Sequence, residues 1–202
     1  VRENHVYCEI LPGSVSLDDL LAEKPVGIIL TGGPDSVYGE GALRYDKRLF
    51  SCGIPVLGIC YGAQLMAYLL GGQVETAPVS EYGHTDAALV SSNSVLLKDW
   101  KKNSVVWMSH TDYIAKVPEK FTILAATEKC PVAAMENVEQ NLYAVQFHPE
   151  VVHTEEGQKL FHTFIYDICH CKGEWRMDSF VETTIENLRK QIGTGRVLCA
   201  LS

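Results

Sequence analysis

The hydrophobic pattern along the chain changes period several times, and one change dominates. Val56-Leu57-Gly58-Ile59 is a short apolar run entered through Pro55, as a buried parallel strand would be. Directly after it, Leu65, Met66, Leu69 and Leu70 recur at helical spacing, which predicts a helix packed on that strand and stopped by Gly71-Gly72. Upstream, residues 7–11 and 26–30 read as strands, 15–21 as a short helix introduced by Ser14 or Ser16, and 43–50 as a helix leading back to the sheet. Downstream, the runs 87–90, 105–108 and 122–126 alternate with turn residues, as an antiparallel section would. Residues 142–145 form another apolar strand, and Thr154 is placed to cap a helix with Leu160, Phe161, Phe164, Ile165 and Ile168 on one face. The expected class is α/β: a mostly parallel central sheet flanked by helices, with a smaller antiparallel section.

Cys60 stands where the dominant strand becomes a helix, framed as Gly58-x-Cys60-x-Gly62. A nucleophile on such a turn needs small neighbours because the backbone is crowded there, and the positive end of the helix favours a thiolate. Most cysteines are only small buried hydrophobes. A second signal, Gln146-Phe147-His148-Pro149-Glu150, separates this one from them. Pro149 forces His148 into an extended conformation, and in an extended chain His148 and Glu150 share a face. The carboxylate can then orient an imidazole that takes the thiol proton. Upstream, Thr31-Gly32-Gly33-Pro34 follows a strand, where paired glycines let main-chain amides approach a bound oxyanion.

These three stretches, in this order, resemble the signatures of class I glutamine amidotransferases, and they span most of the chain. The resemblance implies that family's flavodoxin-like fold and a Cys60–His148–Glu150 catalytic triad. It further implies an oxyanion hole from the backbone of Gly33 and Tyr61, and glutamine held by Gln64 and by the loop of Ser109, His110, Thr111 and Asp112. Glu81-Tyr82-Gly83, Trp107-Met108-Ser109-His110 and Thr127-Glu128-Lys129-Cys130-Pro131 resemble the GMP synthase branch. That branch commonly carries Gly where this chain has Thr111, and Arg where it has Ser80. It implies residues 1–173 as the amidotransferase domain, with a first strand expected before Val1. Residues 174–202 would be a linker helix, bearing Val181, Ile185, Leu188 and Ile192, and then the opening strand (197–201) of an ATP pyrophosphatase domain. ATP, Mg²⁺ and XMP would bind in that second domain of the same polypeptide, no cofactor is expected in this chain, and the whole protein would be a homodimer. Other readings are an amidotransferase subunit serving anthranilate or carbamoyl phosphate synthesis, a non-catalytic binding module, and a cysteine peptidase.

Composition narrows the setting. A formal charge of −8 lacks the clustered Lys and Arg that nucleic acid requires. No apolar run approaches a membrane span. Seven cysteines without a pairing framework suit a reducing cytoplasm. Cys169-His170-Cys171 has no second pair nearby to complete a metal site, so no metal is expected. Trp107 and Trp175 are read as packing residues, and Lys101-Lys102 as a solvated corner.

Overall fold

The computed structural model describes residues 1–42 and 45–197. The chain divides into two compact units, one of residues 10–171 and one of residues 1–9 with 172–202.

The larger unit is built on a seven-stranded mixed sheet in the order β1-β2-β7-β6-β5-β3-β4. Its parallel part is β1 (Ile28–Leu30), β2 (Val56–Ile59) and β7 (Leu142–Val145), with β2 in the middle. All four residues of β2 and all four of β7 are buried, as their unbroken apolar runs require. Helix α1 (Leu17–Ala22) starts at Ser16, whose Oγ accepts a hydrogen bond from the Asp19 N–H. Helix α2 (Tyr61–Leu69) springs directly from β2 and is buried from Tyr61 to Ala67. Val56, Leu65, Met66, Leu49, Phe50, Leu142 and Ala144 belong to one core cluster.

The antiparallel part is β3 (Gln73–Leu89), β4 (Asn103–Lys116), β5 (Thr122–Ala126) and β6 (Ala134–Asn137), joined to β7 through β6. The α/β class and the division into parallel and antiparallel parts match the expectation, but the antiparallel part carries more of the strand pairings. The runs at 87–90 and 105–108 belong to strands of 17 and 14 residues. Much of β3 is polar and exposed, and along β4 buried and exposed residues alternate with Ser104, His110 and Asp112 on the buried side, so the apolar runs mark only part of each strand.

Three expectations need correction. Residues 7–11 form no strand; among the described residues no neighbouring strand supplies a ladder, and Ile10 stands 96% exposed. Of the helix expected over 43–50, Leu43 and Arg44 lie outside the described residues, and the rest is a 3₁₀ turn, Lys47–Ser51, capped by Asp46. The last helix of this unit, α3 (Gly157–His162), has Glu156 rather than Thr154 at its cap, and it runs on into a π-helical stretch, Thr163–Ile168. The Thr154 hydroxyl is committed elsewhere, as described below.

In the smaller unit, the Trp175 N–H donates to the His5 carbonyl (2.9 Å), and the Arg2 guanidinium lies 5.8 Å from the Trp175 ring centre. Trp175 therefore packs as expected. Helix α4 (Met177–Ile192) forms where the apolar spacing predicts it, ending at Gly193. Its apolar stripe of Val181, Ile185, Leu188 and Ile192 is exposed. The strand expected over 197–201 lies, beyond Val197, outside the described residues.

The turn between β2 and α2 is tightly packed against main chain. A Cβ on Gly62 would stand 2.3 Å from the Leu30 carbonyl oxygen, and one on Gly58 would stand 2.7 Å from Gly62 main-chain atoms. Neither position can hold a side chain without moving backbone. A Cβ on Gly33 would meet only the Tyr61 ring, at 3.8 Å. Gly62→Ala is therefore expected to lower stability by at least ~1–3 kcal/mol, and Gly33→Ala to leave it unchanged. The shift in urea midpoint for each variant checks the contrast.

Candidate active site

Cys60 is the residue between β2 and α2, with φ 51° and ψ −107°. A non-glycine residue holds this sparsely populated conformation only where the surroundings enforce it. Here the Cys60 N–H donates to the Val145 carbonyl (2.9 Å), continuing the β2–β7 ladder, while its own carbonyl accepts from the first turn of α2. The thiol is thereby presented at the end of the strand. Its Sγ lies 3.7 Å from the Ser109 carbonyl oxygen on β4 and 3.7 Å from Gln146 Nε2.

His148 follows β7, the strand beside β2. Its Nδ1 lies 2.7 Å from Glu150 Oε1, so the two-residue spacing brings ring and carboxylate together. The pair sits in a loop clamped to β4. The His148 N–H donates to the Trp107 carbonyl (3.0 Å). The Thr154 hydroxyl donates to the His148 carbonyl (2.6 Å) and accepts from the Trp107 N–H (3.0 Å). Gly157 admits the same loop, because a Cβ there would stand 2.0 Å from the Pro149 carbonyl oxygen.

Three separate segments converge on the thiol. A Cβ on Gly32 would lie 3.2 Å from His148 Cε1 and 3.5 Å from Cys60 Cβ, so the glycine loop after β1 touches both. Gly33 follows against Tyr61, the first residue of α2, where main-chain N–H groups point out of the helix end.

The electrostatics suit proton transfer. The neighbouring Cys60 sulfur, as thiolate, and then the Glu150 carboxylate favour the charged ring of His148, pushing its pKa up to about 10 against the opposing effect of burial. Burial works against the charge of Glu150, yet hydrogen bonds from His148 and the main chain, with the imidazolium charge, outweigh it and hold the carboxyl below its usual range.

Gln64 is almost fully buried; its Nε2 donates to the Asp112 carbonyl (2.6 Å) and to Gln146 Oε1 (3.3 Å). Along β4 the side chains alternate. Ser109 and Thr111 are exposed, while His110 and Asp112 are buried, facing Glu81 and Thr76 respectively. Thr111 meets Ser80 (3.5 Å between hydroxyl oxygens) and the Tyr82 hydroxyl (3.0 Å), so the two departures from the GMP synthase pattern touch each other.

Sequence reasoning left three participants unassigned. Gln146 precedes His148 by two residues in an extended segment, and that spacing could have placed it on the same face. Thr154 was legible only as a helix cap. Glu81 depends on the β3–β4 register, which no local pattern encodes.

Among the described residues one group, Glu81, His110 and Cys130, brings three metal-capable donor atoms within 4.8 Å of one another. It is a poor metal centre. Burial, then the Glu81 charge, pushes the Cys130 thiol up to about 12, and that thiol donates to the Val132 carbonyl (3.4 Å). Both Glu81 oxygens lie within reach of the Thr127 hydroxyl (3.0 and 3.3 Å). Three donors, already committed, fall short of the four a structural zinc site takes. The same burial disfavours the thiolate that reactivity at Cys130 would need.

The model of the class-I glutamine amidotransferase family matches residues 1–168. The chain belongs to the class-I glutamine amidotransferases. Among relatives of this amidotransferase chain, the GMP synthase (glutamine-hydrolysing) of Clostridium botulinum strain Eklund 17B is 56% identical over all 202 residues. That of strain Kyoto is 55% identical over the same length. The chain spans 39% of the length of each. Among solved structures, a putative GMP synthase subunit from Thermoplasma acidophilum superposes with a TM-score of 0.72 at 30% identity, over 88% of this chain and 84% of its own. A glutamine amidotransferase from Thermotoga maritima shares the fold, with a TM-score of 0.58 at 24% identity over 84% of this chain and 66% of its own. No described helix is long and apolar enough to cross a membrane.

The raised pKa of His148 has a definite sign. Its proton contributes to stability in full below the unfolded value near 6.5, and that contribution is lost as pH rises toward about 10. NMR titration of the histidine rings should find His148 protonated through neutral pH, with Glu150→Gln moving its midpoint downward.

Proposed function

We propose that this chain is the glutamine-hydrolysing part of a GMP synthase, with Cys60 as nucleophile. The observation that carries the reading is the convergence of the Cys60 elbow, the His148–Glu150 pair and the Gly32-Gly33 loop on one point.

In this mechanism the Cys60 thiolate attacks the side-chain amide carbon of glutamine, and the amide oxygen becomes an oxyanion. Main-chain N–H groups of Gly33 and Tyr61 receive that charge, a contribution of roughly 3 kcal/mol per donor in comparable sites. The C–N bond breaks as the His148 imidazolium gives its proton to the leaving nitrogen, releasing ammonia and a γ-glutamyl thioester on Cys60. His148, now neutral, takes a proton from water, which attacks the thioester. Glutamate leaves, and the thiolate–imidazolium pair is restored. Glu150 orients the ring and stabilises its charged form. Gln64 and residues 109–112 hold the substrate: Ser109 and Thr111 from the exposed face of β4, His110 and Asp112 by fixing the strand behind them.

The ammonia would then aminate XMP to GMP. That step belongs to an ATP pyrophosphatase domain of the same polypeptide, where ATP and Mg²⁺ would bind. The support is that the chain covers only 39% of relatives named for the complete reaction. Residues 1–173 would form the amidotransferase domain, and 174–202 the lead-in to the second one, in a cytoplasmic homodimer.

The test uses the full-length protein. Cys60→Ala should abolish glutamine-dependent GMP formation while sparing formation from added ammonium, because the thiol serves only to liberate ammonia. Loss of both activities in a folded variant would contradict the assignment.

A further inference from the structure

The β3–β4 ladder breaks where the proposed substrate stretch lies. Thr76 pairs with Asp112 and Glu81 with His110, so residues 77–80 of β3 stand against the single residue Thr111. Across such a bulge the regular main-chain bonds are lost, and side chains must hold β4 in place. On one flank the Thr76 hydroxyl donates to Asp112 Oδ1 (2.8 Å), and Gln64 Nε2 donates to the Asp112 carbonyl. On the other flank there is one buried pair. Glu81 and His110 lie directly opposite each other, with side chains 4% and 2% exposed and Nε2 3.3 Å from Oε2.

This pair is unusual in its cost. Neither His110 nitrogen makes a well-aligned hydrogen bond within the described residues, although both are buried. Leaving such groups under-satisfied is unfavourable, and burial correspondingly pushes His110 below its ordinary pKa despite the Glu81 charge. The groups facing the ring are Glu81 on β3, the Asp112 main chain on β4 and His148 in the loop after β7. The carboxylate is anchored in turn by Thr127, whose Oγ also accepts the Cys130 N–H (2.9 Å) and so ties Glu81 to the 127–130 turn. A buried ion-capable pair on β3 and β4, anchored by the 127–130 turn beside the longer break in their ladder, fixes backbone position. The adjoining Ser109 carbonyl is the group 3.7 Å from Cys60 Sγ.

We propose that Glu81 is a positioning residue: through His110 it fixes residues 109–112 against the Cys60 elbow and so sets affinity for glutamine, not the bond-breaking step. The proposal rests on the glutaminase reading above and adds a residue to it.

The experiment compares Glu81→Ala and Glu81→Gln in the full-length protein. Glu81→Ala should raise KM for glutamine by about tenfold or more with kcat within about threefold, the signature of lost ground-state positioning. Glu81→Gln, which keeps an oxygen facing His110 and a polar group at Thr127, should recover most of that loss. Should Glu81→Ala not fold, Glu81→Leu fills the same space without an acceptor and reads the same split. An unchanged KM, or a fall in kcat at constant KM, would overturn the proposal. Alkylation of Cys60 by iodoacetamide, which needs no substrate contacts, should proceed alike in every variant; a variant that loses it has a disturbed elbow, and the positioning role is then wrong. If glutamine is not hydrolysed by the unaltered protein at all, the glutaminase reading fails first.

Discussion

The close approach of β1 to the start of α2 is the constraint on which the rest of the site depends. With no side chain on Gly62, the helix can begin against the Leu30 carbonyl, and with none on Gly58 the strand can end beneath it. Only then does Cys60 take its left-handed φ and present sulfur at the strand end. The glycine loop after β1 rides on the same contact, since the Leu30 carbonyl precedes Thr31-Gly32-Gly33. One crowded junction therefore sets both the Cys60 turn and the neighbouring glycine loop, and a displacement of α2 would misplace both together.

Two histidine–glutamate pairs flank this junction, and their surroundings drive them in opposite directions. His148 is partly open, lies 2.7 Å from Glu150 and also faces the thiol, so the attractions exceed the burial penalty and the ring holds its proton. His110 is sealed, and at 3.3 Å from Glu81 the attraction does not offset desolvation, so the ring tends to the neutral form. The first pair suits proton transfer, and the second, in the role proposed for it, holds backbone. Spacing alone would not distinguish them; distance and exposure do.

What could be read from the sequence follows from how local each feature is. The β2–Cys60–α2 unit was legible because strand, turn and helix are contiguous, and because the glycines have a steric reason at fixed offsets. The His148–Glu150 pairing was legible for the same reason. The long arms of β3 and β4 were not, since much of β3 is exposed and polar and the buried face of β4 includes Ser104, His110 and Asp112, which no hydrophobic pattern marks. Thr154 was misread because a threonine before a helix suits a cap, whereas its hydroxyl is taken by His148 and by Trp107, the latter 47 residues away in the chain. Residues 7–11 look like a strand by composition but find no ladder.

The central claim is that Cys60, and no other thiol, carries the acyl group. Acid quenching of the full-length protein during turnover of glutamine, followed by digestion and mass spectrometry, reads this directly. A γ-glutamyl adduct on the peptide containing Cys60, absent from the peptide containing Cys130 and lost in Cys60→Ser, is the predicted result. An adduct on Cys130 or any other cysteine, with Cys60 unmodified, would contradict the account.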